Sequence, residues 1–285
     1  MSVTVTSTRR RFVRRIFQAG AVMASGGGGA FSYGNQIERH RPVVEKVTIP
    51  LRGLGSAWNG CRIVQISDLH MEPIVDQELL RTTVSIINGL KPDLIVITGD
   101  YVTSNSTKVA TLAEPLVELK APGGVFGSLG NHDMFSGRSR ITRALEEHKI
   151  ACLVNSGRGL TRQNETLWIA GLDSAWGGRP DLTRALAGSP KNHGTLVLMH
   201  EPDNVDNLLH SPVPFLQLSG HTHGGQCCLP GGVPVHLPKW GRNYAKGRFD
   251  LGRVQLYVNR GIGCIGLPVR FACPPEITEI TLACV

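Results

Sequence analysis

The 285-residue sequence contains no run of about 18 apolar side chains, which excludes a chain built from membrane spans. It has no CxxC pair and no Cys/His spacing of the zinc-finger type. Seven cysteines are present (Cys61, Cys152, Cys227, Cys228, Cys264, Cys273 and Cys284), and buried thiols acting as small apolar residues account for them better than a disulfide framework. No internal repeat is visible. Aromatic residues make up 6% and charged residues 18%, yet the hydrophobic fraction of 41% is that of an ordinary globular chain and excludes disorder. What is plentiful is Gly (34) and Pro (17), a sign of loops that carry function.

Acidic residues are missing from residues 1–30, which hold Arg9, Arg10, Arg11, Arg14 and Arg15. Five charges of the formal net +8 therefore belong to this leader. The remaining +3 argues against nucleic acid as a partner, since binding it leans on phosphate neutralisation. A basic stretch, a short weakly apolar run from Ile16 to Ala30 and small residues are the parts of a secretory signal. Arg9-Arg10, followed by Phe12 and Arg14, resembles a twin-arginine signal. That implies the twin-arginine export machinery as a partner, and an exported protein, periplasmic or attached to the cell envelope; the alternative is the cytoplasmic face of the membrane. Residues 1–30 are read as the signal segment, 31–42 as a linker and 43–285 as one domain.

Within the domain, strands are expected at Val43–Leu51, Arg62–Ile66, Leu94–Thr98, Val125–Leu129, Leu153-Val154, Leu167–Ala170, Leu196–Met199, Phe215–Leu218, Val254–Val258 and Ile277–Leu282. Helices are expected from Asp76 as cap through Asn88, within Leu112–Leu119, over 139–148 and at Leu182–Ala187. Alternating strands and helices argue an α/β architecture with covered sheets.

Five of the apolar runs end in residues that bind metals. They end in Ser67-Asp68-Leu69-His70, in Gly99-Asp100, in Gly130-Asn131-His132-Asp133, in His200-Glu201, and in Gly220-His221-Thr222-His223-Gly224-Gly225. Strand ends of an α/β sheet converge on one rim. Carboxylate, imidazole and amide carbonyl together are a mixed O/N donor set suited to Mn, Fe, Zn or Co. Two such ions about 3.5–4 Å apart can clamp both oxygens of a phosphoryl displacement. Each fragment alone is common; the five in order are not.

The ordered set, from Arg62 to Gly225, resembles the calcineurin-like metallophosphoesterase superfamily. Three passages are similar to a bacterial subfamily of exported phosphodiesterases and UDP-2,3-diacylglucosamine pyrophosphatases. These are Gly60 through His70, Gly220 through Gln226, and the tail Tyr257–Gly263 with Pro274-Pro275-Glu276-Ile277. The resemblance implies two mixed β-sheets packed as a sandwich and flanked by helices, with a dinuclear metal site at the strand ends. It implies one ion held by Asp68, His70, Asp100 and His223, and another by Asp100, Asn131, His200 and His221. The cofactors are then two divalent ions, manganese first, with iron, zinc or cobalt as alternatives.

The implied activity is metal-dependent hydrolysis of a phosphodiester or pyrophosphate bond, by water activated between the ions, in a UDP-2,3-diacylglucosamine-like or other lipid or envelope substrate. A non-catalytic metal-binding envelope protein is the alternative. His132 fits the general acid for the leaving oxygen, with Asp133 expected to hold its imidazole. Arg260 and Arg270 are candidates for the substrate phosphate, since a guanidinium offers it a bidentate fork. The basic, aromatic loop from Lys239 to Arg248 is a candidate for peripheral contact with a lipid headgroup.

Overall fold

A computed structural model describes residues 27–71, 76–191 and 193–285. The leader reading falls outside these residues except for 27–30.

Two six-stranded sheets form the body. The first has the order β1 (Val43–Pro50), β14 (Glu276–Ala283), β2 (Arg62–Ile66), β3 (Leu94–Thr98), β4 (Val125–Ser128) and β5 (Ile150–Cys152). The second runs β12 (Gly247–Leu251), β13 (Val254–Val258), β9 (Phe215–Ser219), β8 (Gly194–Leu198), β7 (Glu165–Gly171) and β6 (Ser156–Arg162). Each is mixed. Strands β2 to β5 are parallel while β14 is antiparallel to β2; β7, β8, β9 and β13 are parallel while both edge strands are antiparallel to their neighbours. A two-stranded hairpin, β10 (Cys228–Leu229) and β11 (Val233–Pro234), stands apart from both.

Side-chain alternation explains the layers. Along β2 and β3, Ile63 and Val96 face the second sheet, where they meet Leu196, Leu198, Leu216 and Leu218. Their neighbours Val64, Ile95 and Ile97 face helices α1 (Gln77–Leu90) and α2 (Asn131–Glu147), against Leu80, Val84, Ile87, Ile141 and Leu145. Central strands buried on both faces read as continuous apolar runs, which is why β3 and β8 are buried at every position. Asp76 caps α1 by accepting the Leu79 N–H.

Residues 31–42 do not behave as a linker. The chain is helical over 27–36, and Glu38 is buried with its carboxylate accepting the N–H groups of Ala272 and Cys273. Helix α2 begins at Asn131, earlier than expected, and continues past a non-helical Gly137. Leu153-Val154 lies just beyond β5, and the edge strands β6 and β12 were not anticipated. Among the described residues no helix is long and apolar enough to cross a membrane.

Candidate metal centre

The chain after each of five strands turns into the gap where the two sheets share an edge of the sandwich. Asp68 and His70 follow β2, Asp100 follows β3, Asn131 and His132 open α2 after β4, His200 follows β8, and His221 and His223 follow β9. The turns are sharp: Asp68, His70, Asp100, His221 and His223 all have φ between +43° and +71°. Non-glycine residues rarely adopt this region. The glycines before Asn131 and His221 have a steric reason. A Cβ on Gly130 would collide with the Asp100 carboxylate, and one on Gly220 with Ser67 and Asp68.

The donor atoms fall into two groups, Asp68 with His70 and His223, and Asp100 with His200 and His221, each set within 4.8 Å of one another and all buried. Asp100 reaches both: its Oδ2 lies 3.1 Å from His200 Nε2 and 3.7 Å from His70 Nε2. His70 Nε2 and His223 Nε2 face each other at 3.1 Å. The tautomers are set from behind. His200 Nδ1–H donates to the Thr98 carbonyl at 2.6 Å, which leaves Nε2 free, and His221 Nε2–H donates to the Lys239 carbonyl at 2.7 Å, which leaves Nδ1 free. His200 Nε2 and Asn131 Oδ1 are buried without a hydrogen-bond partner.

Electrostatics point the same way. Burial pushes the Asp68 carboxyl up to about 6. Burial also disfavours the charge on Asp100, but His200 beside it wins and holds the carboxyl well below the usual range. Burial opposes protonation of His200, yet Asp100 and Asp68 hold its pKa well above the ordinary value. Burial drives His70 down to about 3, and lowers His221 and His223 as well. The cluster is a buried set of acceptors that draws positive charge. With two orphaned donor atoms aimed inward and neutral imidazoles presenting lone pairs, these residues fit a pair of divalent cations.

His132 is half-buried at the lip of the site. Its N–H donates to Asp100 Oδ1 at 3.0 Å, and its Nδ1–H to the Thr103 carbonyl at 2.7 Å. Thr103, not Asp133, therefore orients the ring. Asp133 has another task, which corrects the expectation. Its buried carboxylate accepts four backbone N–H groups, from Asp100 and Gly130 at Oδ2 and from Tyr101 and Val102 at Oδ1. Burial and then the Asp100 charge raise its pKa while the N–H donors oppose that; both oxygens accept, as in the carboxylate form.

The two arginine candidates are not brought to the cleft. Arg260 pairs with Glu45 and Glu276, each at 2.7 Å. Arg270 is fully buried, donating to the carbonyls of Arg260, Gly261 and Gly263, with one nitrogen 3.5 Å from His223 Nδ1. The cleft over the centre, about 1040 Å³ including its open mouth, is lined by site histidines and by Trp176, Val235, Pro238, Ile265 and Leu267.

Trp176 was missed. Its ring stands edge-on to His221 at 5.9 Å, on a loop tied by Ser174 Oγ–H and the Ala175 N–H to the buried Glu201 carboxylate. Glu201 sat at the end of its run in the sequence, but only the fold reveals the loop it holds.

A sandwich of two mixed sheets with paired metal-donor groups at its strand ends defines a dinuclear metallohydrolase. The sequence model of the calcineurin-like phosphoesterase family matches residues 61–225. The metallophosphoesterase YkuE of Bacillus subtilis is 36% identical over 279 residues, 96% of this chain and 97% of its own. The phosphodiesterase YaeI of Escherichia coli is 30% identical, over 78% of this chain and 82% of its own. A Danio rerio transmembrane protein with a metallophosphoesterase domain is 32% identical over 85% of this chain, which spans 57% of that longer protein. Among solved structures, the NAD nucleotidase of Haemophilus influenzae superposes with a TM-score of 0.50 at 15% identity, over 70% of this chain and 45% of its own, a likeness of fold alone. The chain belongs to the calcineurin-like phosphoesterase family, and it is a metal-dependent phosphoester hydrolase.

Proposed function

We propose that the enzyme cleaves phosphodiester or pyrophosphate bonds, as an exported protein of the cell envelope, on a substrate with an apolar or lipid portion. The observation that carries this reading is the composition of the cleft: among the described residues, no Lys or Arg lines it. A monoester brings a dianionic phosphoryl group, for which an arginine fork is the usual partner. A phosphodiester brings a single charge, which two cations suffice to offset. Val235, Pro238, Ile265, Leu267 and Trp176 give the rest of such a substrate an apolar wall. The naming of YaeI as a phosphodiesterase supports the same reading. Export rests on the leader's arginines and its lack of acids.

When bound, two divalent ions, manganese first among them, would supply an activated water and offset phosphoryl charge. Asp68, His70, Asp100 and His223 would hold one, and Asp100, Asn131, His200 and His221 the other. His132 supplies the proton for the departing oxygen from Nε2, its ring oriented by the Nδ1–H bond to the Thr103 carbonyl. Trp176 shields the His221 side of the cleft from water.

Purified protein supplied with manganese should hydrolyse bis-(p-nitrophenyl) phosphate faster than p-nitrophenyl phosphate. Faster monoester turnover would overturn the diester reading. Bound metal without turnover of either, with Mn, Fe, Zn or Co, would favour the non-catalytic alternative.

A further inference from the structure

Four exposed aliphatic side chains, Leu229, Val233, Val235 and Leu267, gather beside the cleft. Leu229 and Val233 are cross-strand partners at the tip of the β10–β11 hairpin, 56% and 55% exposed; Val235, just beyond, and Leu267 are 63% and 67% exposed and line the cleft mouth. The neighbouring loop is joined to the hairpin by a bridge between Cys227 and Phe271 and by the Cys228 N–H on the Phe271 carbonyl. The helical stretch 27–36 is fastened to that loop in turn: Asn35 Nδ2 donates to the Pro268 carbonyl, the Arg270 N–H to the Gly34 carbonyl, and the rings of Tyr33 and Phe271 meet edge-on at 6.3 Å. Phe31, on this stretch, is 51% exposed. Three segments distant in sequence thus build one apolar face around the entrance to the site.

The segments that build the hairpin and the loop carry charge of one sign, and the acids nearest them, Asp203 and Glu38, are taken up by backbone N–H groups of residues 242–244 and 272–273. Residues 207–249 and 251–275, which supply the hairpin and the loop, contain no Asp or Glu. Lys246 reaches the hairpin turn, its Nζ donating to the Gly232 carbonyl, and Lys239 and Arg242 are exposed on the same connection. Residues 1–37 also lack any acid, and residues 9–15 carry five Arg. Interfaces between proteins favour Tyr, Trp and Arg at their centre. Here the projecting loop tips carry Leu229, Val233, Val235 and Leu267, with Phe31, Tyr33 and Phe271 beside them and lysine and arginine around, the composition of a surface that dips below anionic headgroups.

We propose that this face, formed by the β10–β11 hairpin, the Leu267–Phe271 loop and the 27–36 helix, docks on an anionic phospholipid surface and presents the cleft mouth to it. The proposal needs no turnover, so it stands or falls separately from the phosphodiesterase reading.

The test is co-sedimentation of the full chain with vesicles of phosphatidylcholine alone or with 30 mol% phosphatidylglycerol. Leu229 and Val233 lie outside the cleft, so Leu229→Glu/Val233→Glu should keep the melting temperature and the turnover of a soluble diester. Wild type should bind the phosphatidylglycerol vesicles and release them in high salt, and the double variant should bind about tenfold more weakly or worse. Equal binding by both would place membrane affinity in the leader alone and overturn the proposal, as would no binding by wild type. A wild-type dimer in lipid-free sedimentation that the double variant abolishes would make the face a contact between copies, and also overturn it.

Discussion

Asp133→Asn separates two roles that a carboxylate beside a general acid could have. In the structure Asp133 accepts N–H bonds from Gly130, Asp100, Tyr101 and Val102 at 2.8–3.3 Å, two on each oxygen. The asparagine keeps one acceptor oxygen, and its amide group turns donors toward the other two N–H groups. A buried donor left unsatisfied costs ~1–3 kcal/mol, so the pair costs about 4 kcal/mol. In a chain of this size that corresponds to a fall in Tm of about 10 °C. The loss should be measured by calorimetry on chelated protein, so that metal binding contributes nothing. Manganese affinity of the same variant should fall at least about tenfold, because Asp100 and Asn131 both sit on the backbone that Asp133 clamps. If Asp133→Asn melts within ~2 °C of wild type and loses only the turnover of esters with poor leaving groups, Asp133 works through His132, as the sequence alone suggested, and the clamp is wrong.

Asp100→Asn should lose metal and activity together, because an amide lacks the charge that faces both donor groups; elemental analysis showing two retained ions would refute this. His132→Gln should keep its metal and lose ~10²–10⁴-fold in rate on alkyl diesters but little on nitrophenyl esters, whose leaving group needs no proton; equal losses on both would mean it stabilises phosphoryl charge instead. Changing Arg9 and Arg10 together to Lys should strand the protein in the cytoplasm, since charge survives but a receptor-read pair does not; unchanged envelope localisation in fractionation would show the leader is something else. Burial, then the Asp93 charge, pushes the Cys61 thiol from 9.0 up to about 12. The folded state then keeps a proton that the unfolded chain releases, so its stability is intact below pH 9 and lost as pH rises toward 12. The slope is ~1.4 kcal/mol per pH unit. Between pH 8.5 and 10.5, denaturant titrations should show Cys61→Ala losing about 2 kcal/mol less stability than wild type; identical losses would mean the thiol titrates normally.

The strands that reach the site were legible because they are buried on both faces. β2 and β3 fall where apolar runs placed them, β9 runs one residue longer, and the donors follow the ends of these runs. The edge strands were not legible: β6 reads Ser-Gly-Arg-Gly-Leu-Thr-Arg, half exposed and without a sustained apolar face. The start of α2 was hidden because its first turn consists of Asn131, His132 and Asp133, residues whose side chains serve the site and whose pattern looks like a turn. The donor residues could be read from type and order. What fixes them could not, because Thr98, Thr103 and Lys239 act through backbone carbonyls, and any residue type has one. Arg260 fell to the opposite problem: a free guanidinium and one already paired with Glu45 and Glu276 look the same in sequence.

The left-handed backbone at Asp68, His70, Asp100, His221 and His223 sets the interests of folding against those of chemistry. Each such residue costs roughly 1–2 kcal/mol relative to an ordinary conformation, and glycine escapes that penalty. Replacing one of these buried histidines with glycine would relieve that strain but leave a cavity the size of an imidazole, and emptying a core site of a large side chain costs about 2–5 kcal/mol. Strain relieved and packing lost therefore oppose each other at every one of these turns, and none can relax without opening a hole beneath the donors.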